Sequence, residues 1–161
     1  MINSKEFKKI RELIADIKIC MFVTQKETKL KSRPFTTTTV DEVGNIWFVT
    51  SKQTDAIEEI GAHFQVNLAY AAPDDNDYLS VAGNAAIVSD KEKINELWNP
   101  IMKAWFPEGK DSTDIILIRV EPISAAYWDA SSNKLVELFK IGKAILTNSK
   151  YESSEAGKID L

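Results

Sequence analysis

Few side chains in this 161-residue chain are equipped for chemistry of their own. There is one histidine, His63, and one cysteine, Cys20. A hydrolytic triad would have to be built around that single ring, and no motif pairs it with a serine or the cysteine. His63 closes a short helical stretch, where a solvated, helix-terminal role is the simplest reading. Nitrogen- and sulfur-ligated metal sites need several such residues. "PDDND" at 73–77 lacks the spacing and closing glutamate of a calcium loop and reads as a turn. No GxGxxG or GxxxxGK[ST] occurs, so dinucleotide and P-loop sites are unsupported. No pair of carboxylates stands out for glycosidase-like work. Any chemistry therefore falls to a cofactor, with the protein supplying a shaped slot, backbone groups, hydroxyls and cations.

The stretch "SRPFTTTT" at 32–39 suits that role. Proline has no N–H, so Pro34 fits a strand edge or start and leaves neighbouring backbone groups free to meet a planar heterocycle. Arg33 carries a planar, permanently charged fork. Threonine is a good strand former whose hydroxyl can meet polar ligand atoms. An amphipathic strand with a solvated threonine face explains the same residues without any ligand.

These residues need elements to position them. Phe7, Ile10, Leu13, Ile14 and Ile17 recur at helical spacing, so 3–18 reads as an amphipathic helix capped by Asn3 or Ser4. Strands are expected at 18–25, 30–40, 45–52, 64–72, 78–90 and 114–130, with a hairpin at "DEVG". Gly83 suggests a bulge, and Pro122 a kink. Short helices are expected at 54–63, with Asp55 and Glu58 forming a capping box, and at 90–106, interrupted near Pro100. A last helix is expected at 133–145 and a flexible tail at 148–161. About six strands joined mostly by hairpins fit a small antiparallel barrel with peripheral helices, a mainly β (α+β) fold, over residues 1–147.

Composition bounds the rest. The chain is 44% hydrophobic and 27% charged, with a net charge of −4, normal for one soluble domain. It has no basic stripe for nucleic acid, no apolar run long enough for a bilayer and no signal peptide, so a cytoplasmic protein is expected.

Five phrases in order give a resemblance over about residues 5–130: "SRPF", "IWFVTSK", "VNLAYAAPDDNDYLSVAGNAAIV", "INELWNPIMKAWFPEGKDS" and "AAYWD". Together they resemble the FMN-binding split barrel, and more closely the general stress protein branch of the pyridoxamine 5′-phosphate oxidase-like family. The resemblance implies a six-stranded antiparallel split barrel. It implies a homodimer with FMN at the subunit interface, exchanging electrons with a small-molecule donor and acceptor. Arg33, Pro34, Phe35 and Thr36 would follow the flavin ring. Thr50, Ser51 and Lys52, with the helix start at Thr54, would take the ribityl chain and phosphate, as a helix N-terminus favours an anion. Trp105 and Trp128 are candidates for the pocket or interface, whereas Trp47 reads as core. Trp98 and Trp105 share a helical face if the helix continues past Pro100. One departure is Ala56, near a place where the family has a basic residue. The competing functions are a non-catalytic flavin-binding or storage protein, a true pyridoxamine 5′-phosphate oxidase, and a related barrel holding deazaflavin or haem. The C-terminal sequence lacks the oxidases' Arg/His signature, which argues against the second.

Overall fold

The computed structural model describes residues 4–129 and 156–160. It begins with helix α1 (Ser4–Ile17), followed by strands β1 (Ile19–Lys26), β2 (Lys29–Thr36), β3 (Thr39–Val40) and β4 (Ile46–Ser51). Helix α2 (Asp55–Ala62), strands β5 (Gln65–Ala72) and β6 (Asp77–Val88), helix α3 (Lys91–Leu97), and strands β7 (Ile115–Trp128) and β8 (Ala156–Asp160) complete it. The strands form one antiparallel sheet in the order β2-β1-β5-β6-β7-β4-β3, with β8 added along β7.

Among the described residues the sheet thus has eight strands where six were expected. The expected strand at 30–40 divides into β2 and β3, and β8 is added from the expected tail. The expected helix at 133–145 and the rest of that tail, 148–155 and 161, lie outside the described residues.

The division of 29–40 organises the molecule. β2 pairs with β1, but two residues later the chain has changed partner and β3 pairs with β4. Thr37 N–H still donates to Lys18 C=O at 2.8 Å, and Thr38 N–H already donates to Trp47 C=O at 2.8 Å. No ladder joins β2 to β3, and the two ends of the sheet are linked covalently through Thr37–Thr38.

One core fills the inside of this sheet. Phe22, Leu68, Val81, Ile118 and Val120 are fully buried there, and Ile10, Leu13 and Ile14 of α1 close over it. A second cluster lies on the other face of β4 and β7, where Trp47, Ile115 and Leu117 pack against Ile94 and Phe106. "IILI" at 115–118 is a continuous apolar run because this part of β7 is covered on both faces.

Local chemistry sets several boundaries. α2 is capped by Thr54, whose hydroxyl accepts from Ala56 N–H at 3.4 Å, and not by the Asp55–Glu58 box. α3 is capped by Asp90 and stops at Leu97. Pro100 then opens a short 3-10 turn, so the helix does not continue and Trp98 and Trp105 part company. Trp98 packs on the second cluster, whereas Trp105 is 69% exposed. The expected bulge is present between Ala82 and Gly83, opposite Pro122. A Cβ on Gly83 would stand 2.7 Å from the Glu121 carbonyl oxygen and from Val120 Cγ1. In the hairpin before β4, Asp41 accepts from Val43 and Asn45 N–H and from Trp47 Nε1, which fixes the turn.

Candidate functional site

Where β2 and β4 separate, a cleft of about 900 Å³ opens. Pairing explains why its walls carry unspent backbone groups. The Thr37–Lys18 bond fixes the phase of the β1–β2 ladder, in which Cys20 opposes Phe35 and Met21 opposes Pro34. Hydrogen-bonded and non-bonded pairs alternate along such a ladder. Phe35 and Arg33 therefore bond β1, while the backbone groups of Pro34 and Thr36 point to the free edge. β2 ends the sheet, so nothing in the ladder meets them. Pro34 sits where its missing N–H removes no ladder bond, which accounts for an Arg-Pro pair inside a strand. β4 is likewise paired with β3 only at Ile46 and Trp47.

The floor is aromatic. Phe35 and Phe48 line the cleft, with ring centroids 6.0 Å apart, and Phe22 lies beneath at 5.0 and 5.2 Å from them. The threonine run divides its work. Thr37 Oγ shares a 2.7 Å hydrogen bond with the Tyr70 hydroxyl, and Thr38 Oγ accepts from Val49 N–H at 3.0 Å. Those two hydroxyls brace the partner switch, and Thr36 is left exposed at the free edge. Behind the floor, burial raises the Tyr70 phenol above its ordinary range and pushes the Cys20 thiol up to about 12.

Of the ten residues expected at the site, Pro34, Phe35, Thr36, Thr50, Ser51 and Trp105 line the cleft. Arg33, Lys52, Thr54 and Trp128 do not. Arg33 reaches away from it to α2. One guanidinium nitrogen lies 2.5 Å from Glu59 Oε2, and the other donates to Thr24 Oγ at 2.8 Å. Thr24 Oγ donates to the same carboxylate at 2.5 Å, and Lys31 Nζ stands 3.1 Å from its second oxygen. The Glu59 side chain is only 1% exposed. Burial pushes its carboxyl up, but the bonds from Thr24, Lys31 and Arg33 outweigh burial and hold it below the usual carboxylate range. Lys52 is exposed, and its N–H is spent on the Asp114 carbonyl at 2.8 Å. Trp128 is half-buried at the end of β7, opposite Tyr78. Ala56 is fully buried in the main core and does not face the cleft. His63 is exposed at the end of α2.

Sequence reasoning missed Arg11, Lys18 and Asp114, which also line the cleft. Arg11 looks like part of a solvated helix face, but it bonds the Val40 carbonyl at 3.3 Å and lies 5.5 Å over the Phe7 ring. Lys18 holds a left-handed turn (φ 63°) that carries the chain from α1 into β1. No periodicity or motif marks Asp114, although it directly precedes the apolar run of β7. The rim on the α3 side is apolar and open: Ile101 is 71% and Trp105 69% exposed. Among the described residues no cluster of His, Cys, Asp and Glu could hold a metal, and no helix is long and apolar enough to cross a membrane.

The arrangement suits a flat, partly polar ligand: an aromatic floor, an open strand edge along one side, and hydroxyls at one end. The chain is similar to known proteins. General stress protein 26 of Bacillus subtilis is 28% identical over 141 residues, which cover 85% of this chain and 99% of that protein. Protein bli-3 of Neurospora crassa is 23% identical over 111 residues, 64% of this chain. The chain spans about half the length of that curated relative, 53% of it. The crystal structure of the general stress FMN/FAD binding protein from Xanthomonas citri matches with a TM-score of 0.70 at 26% identity, over 80% of this chain and 92% of that one. The model of the pyridoxamine 5′-phosphate oxidase like family matches residues 5–152, nearly the whole chain, and the chain belongs to that family.

Proposed function

We propose that this chain is a cytoplasmic flavoprotein that holds FMN in the cleft between β2 and β4 and passes electrons between a small-molecule donor and acceptor. One observation carries the reading. The free edge of β2 presents the Pro34 carbonyl and the Thr36 N–H and carbonyl beside an aromatic-floored cleft. The polar edge of an isoalloxazine, which carries both donors and acceptors, complements such a row. The volume of about 900 Å³ lies in the range of cofactor sites. The structurally similar Xanthomonas citri protein is an FMN/FAD binding protein, which supports the choice of ligand.

Bound flavin would supply the electron-transfer chemistry. The protein's part is to bind, orient and shield. Phe35 and Phe48 would support the ring, and the β2 edge would set its orientation. Thr50 and Ser51 stand at the end of β4, where the ribityl chain would finish. Arg11 and Lys18 are the cations that line the cleft. Arg33 serves by fixing β2 to α2 through Glu59.

The exposed Ile101 and Trp105 leave one side of the cleft open. We propose that a second copy of the chain covers it, giving a homodimer with flavin at the interface, since exposed aromatic and aliphatic rims of this kind favour association.

The test is direct. The protein is purified without added flavin, its visible spectrum recorded, and any released cofactor identified by mass. Yellow protein releasing FMN is expected. Colourless protein that also takes up no added FMN in calorimetry would sink the proposal.

A further inference from the structure

At the end of the cleft, β4 finishes at Ser51, paired in register with Ile115 of β7. Asp114, one residue before β7, therefore stands beside Ser51 and Lys52. Its Oδ2 accepts the Ser51 hydroxyl at 2.6 Å, and its carbonyl accepts Lys52 N–H. Ser51 Oγ in turn accepts Gln53 N–H at 3.0 Å.

Arg11 and Lys18 line the cleft, but several donors at this end are already taken. A serine hydroxyl has one proton to give, and Ser51 has given it to Asp114. The Gln53 N–H is spent on Ser51, and the Ala56 N–H on Thr54. Asp114 Oδ1 is buried without a hydrogen-bond partner. No lysine or arginine among the described residues forms an ion pair with it. A carboxylate whose charge is so poorly compensated repels a second anion, and more strongly in a partly enclosed cleft than in water. A neutral terminus such as a hydroxyl meets no such repulsion.

Resting on the flavin reading, we propose that Asp114 is a specificity-determining residue that acts against the phosphate of the ligand. It lowers the affinity for FMN and lets an unphosphorylated ribityl chain, as in riboflavin, compete for the same cleft. Ser51 holds the carboxylate in place. The pair reads the ligand's terminus, not its ring.

The experiment measures dissociation constants for FMN and for riboflavin on the wild-type protein and on Asp114→Asn, at a pH where the phosphate is dianionic. Wild type is expected to bind FMN no more than about tenfold more tightly than riboflavin. Asp114→Asn is expected to bind FMN at least about tenfold more tightly than wild type does, the size of one charge-assisted contact, with riboflavin changed less than about threefold. Asp114→Ser removes the same charge with a different shape and serves if the asparagine variant melts early. Equal shifts for both flavins, no shift, or weaker FMN binding would overturn the assignment to Asp114 while leaving flavin binding intact. Failure of wild type and variants alike to bind either flavin would remove the flavin reading, and this inference with it.

Discussion

Replacing Arg33 by alanine should destabilise the fold, and the structure gives the size. Arg33 bonds a glutamate whose side chain is 1% exposed, and it also donates to Thr24. Removing one partner of a buried ion pair costs about 3–5 kcal/mol, because the other charge stays buried. Two facts move the expectation to the lower end. Arg33 keeps 19% of its side-chain exposure, and Lys31 remains 3.1 Å from the same carboxylate. The expected loss is about 3 kcal/mol, or roughly 6–12 °C in Tm for a chain of this length. Urea unfolding followed by tryptophan fluorescence measures it, with an unchanged m-value confirming that only stability has moved. The pH dependence has a definite sign. Glu59 is held below the ordinary carboxylate range when folded. Its contribution is therefore fully present above the unfolded glutamate value, about 4.3, and is lost as pH falls through the folded one. The gap between wild type and Arg33→Ala should stay constant at neutral pH and close in acid. Flavin affinity should fall as a consequence of a loosened β2, and Arg33→Lys should recover part of both losses. A stability change under about 1 kcal/mol, with flavin affinity still reduced, would refute this reasoning and return Arg33 to the role of a direct ligand.

Other perturbations test other parts. Gly83→Ala should cost about 1–3 kcal/mol, since the new Cβ meets the Glu121 backbone; wild-type urea stability would contradict the tight approach. Cys20, buried and with its thiol pushed up to about 12, should resist iodoacetamide at pH 8 in native protein and react in urea; rapid native labelling would contradict its burial. Ile101→Glu should yield monomers that release flavin, as read by light scattering and absorbance, and a monomer with full flavin occupancy would refute the shared-site proposal.

Much of the fold is written locally. α1 is legible because its apolar residues recur at helical spacing, and the Gly83 bulge because glycine inside an alternating strand has few other causes. What escaped reading depends on partners distant in sequence. Nothing within 29–40 announces that the strand changes partner after Thr37, since Lys18 and Trp47, which take its two ladders, lie on either side in the chain. Arg33 shows the same limit at the site. Its position beside Pro34 suggests a ligand, but the carboxylate that claims it is 26 residues away on α2. Pro34 was legible as a strand-edge residue because its missing N–H restricts where a strand can accept it, and Phe35 and Thr36, expected beside it from the resemblance, line the same cleft. Asp114 was not, because an isolated aspartate before an apolar run carries no signal until Ser51 is placed beside it.

The junction at Thr37–Thr38 also has a consequence in time. β4 finds its long partner only in β7, whose first paired residue, Ile115, follows Ser51 by 64 positions (115 − 51). At a synthesis rate of about 5–20 residues per second, the nascent chain spends roughly 3–13 s with β4 lacking that neighbour. The hairpins β1–β2 and β5–β6 can form meanwhile, since their contacts are local. β4 cannot be joined to the rest of the sheet until β7 arrives. The cleft, defined by the parting of β2 and β4, is therefore among the last features of the molecule to take shape, and a chain cut short before residue 115 would carry every residue of the β2 edge and no site.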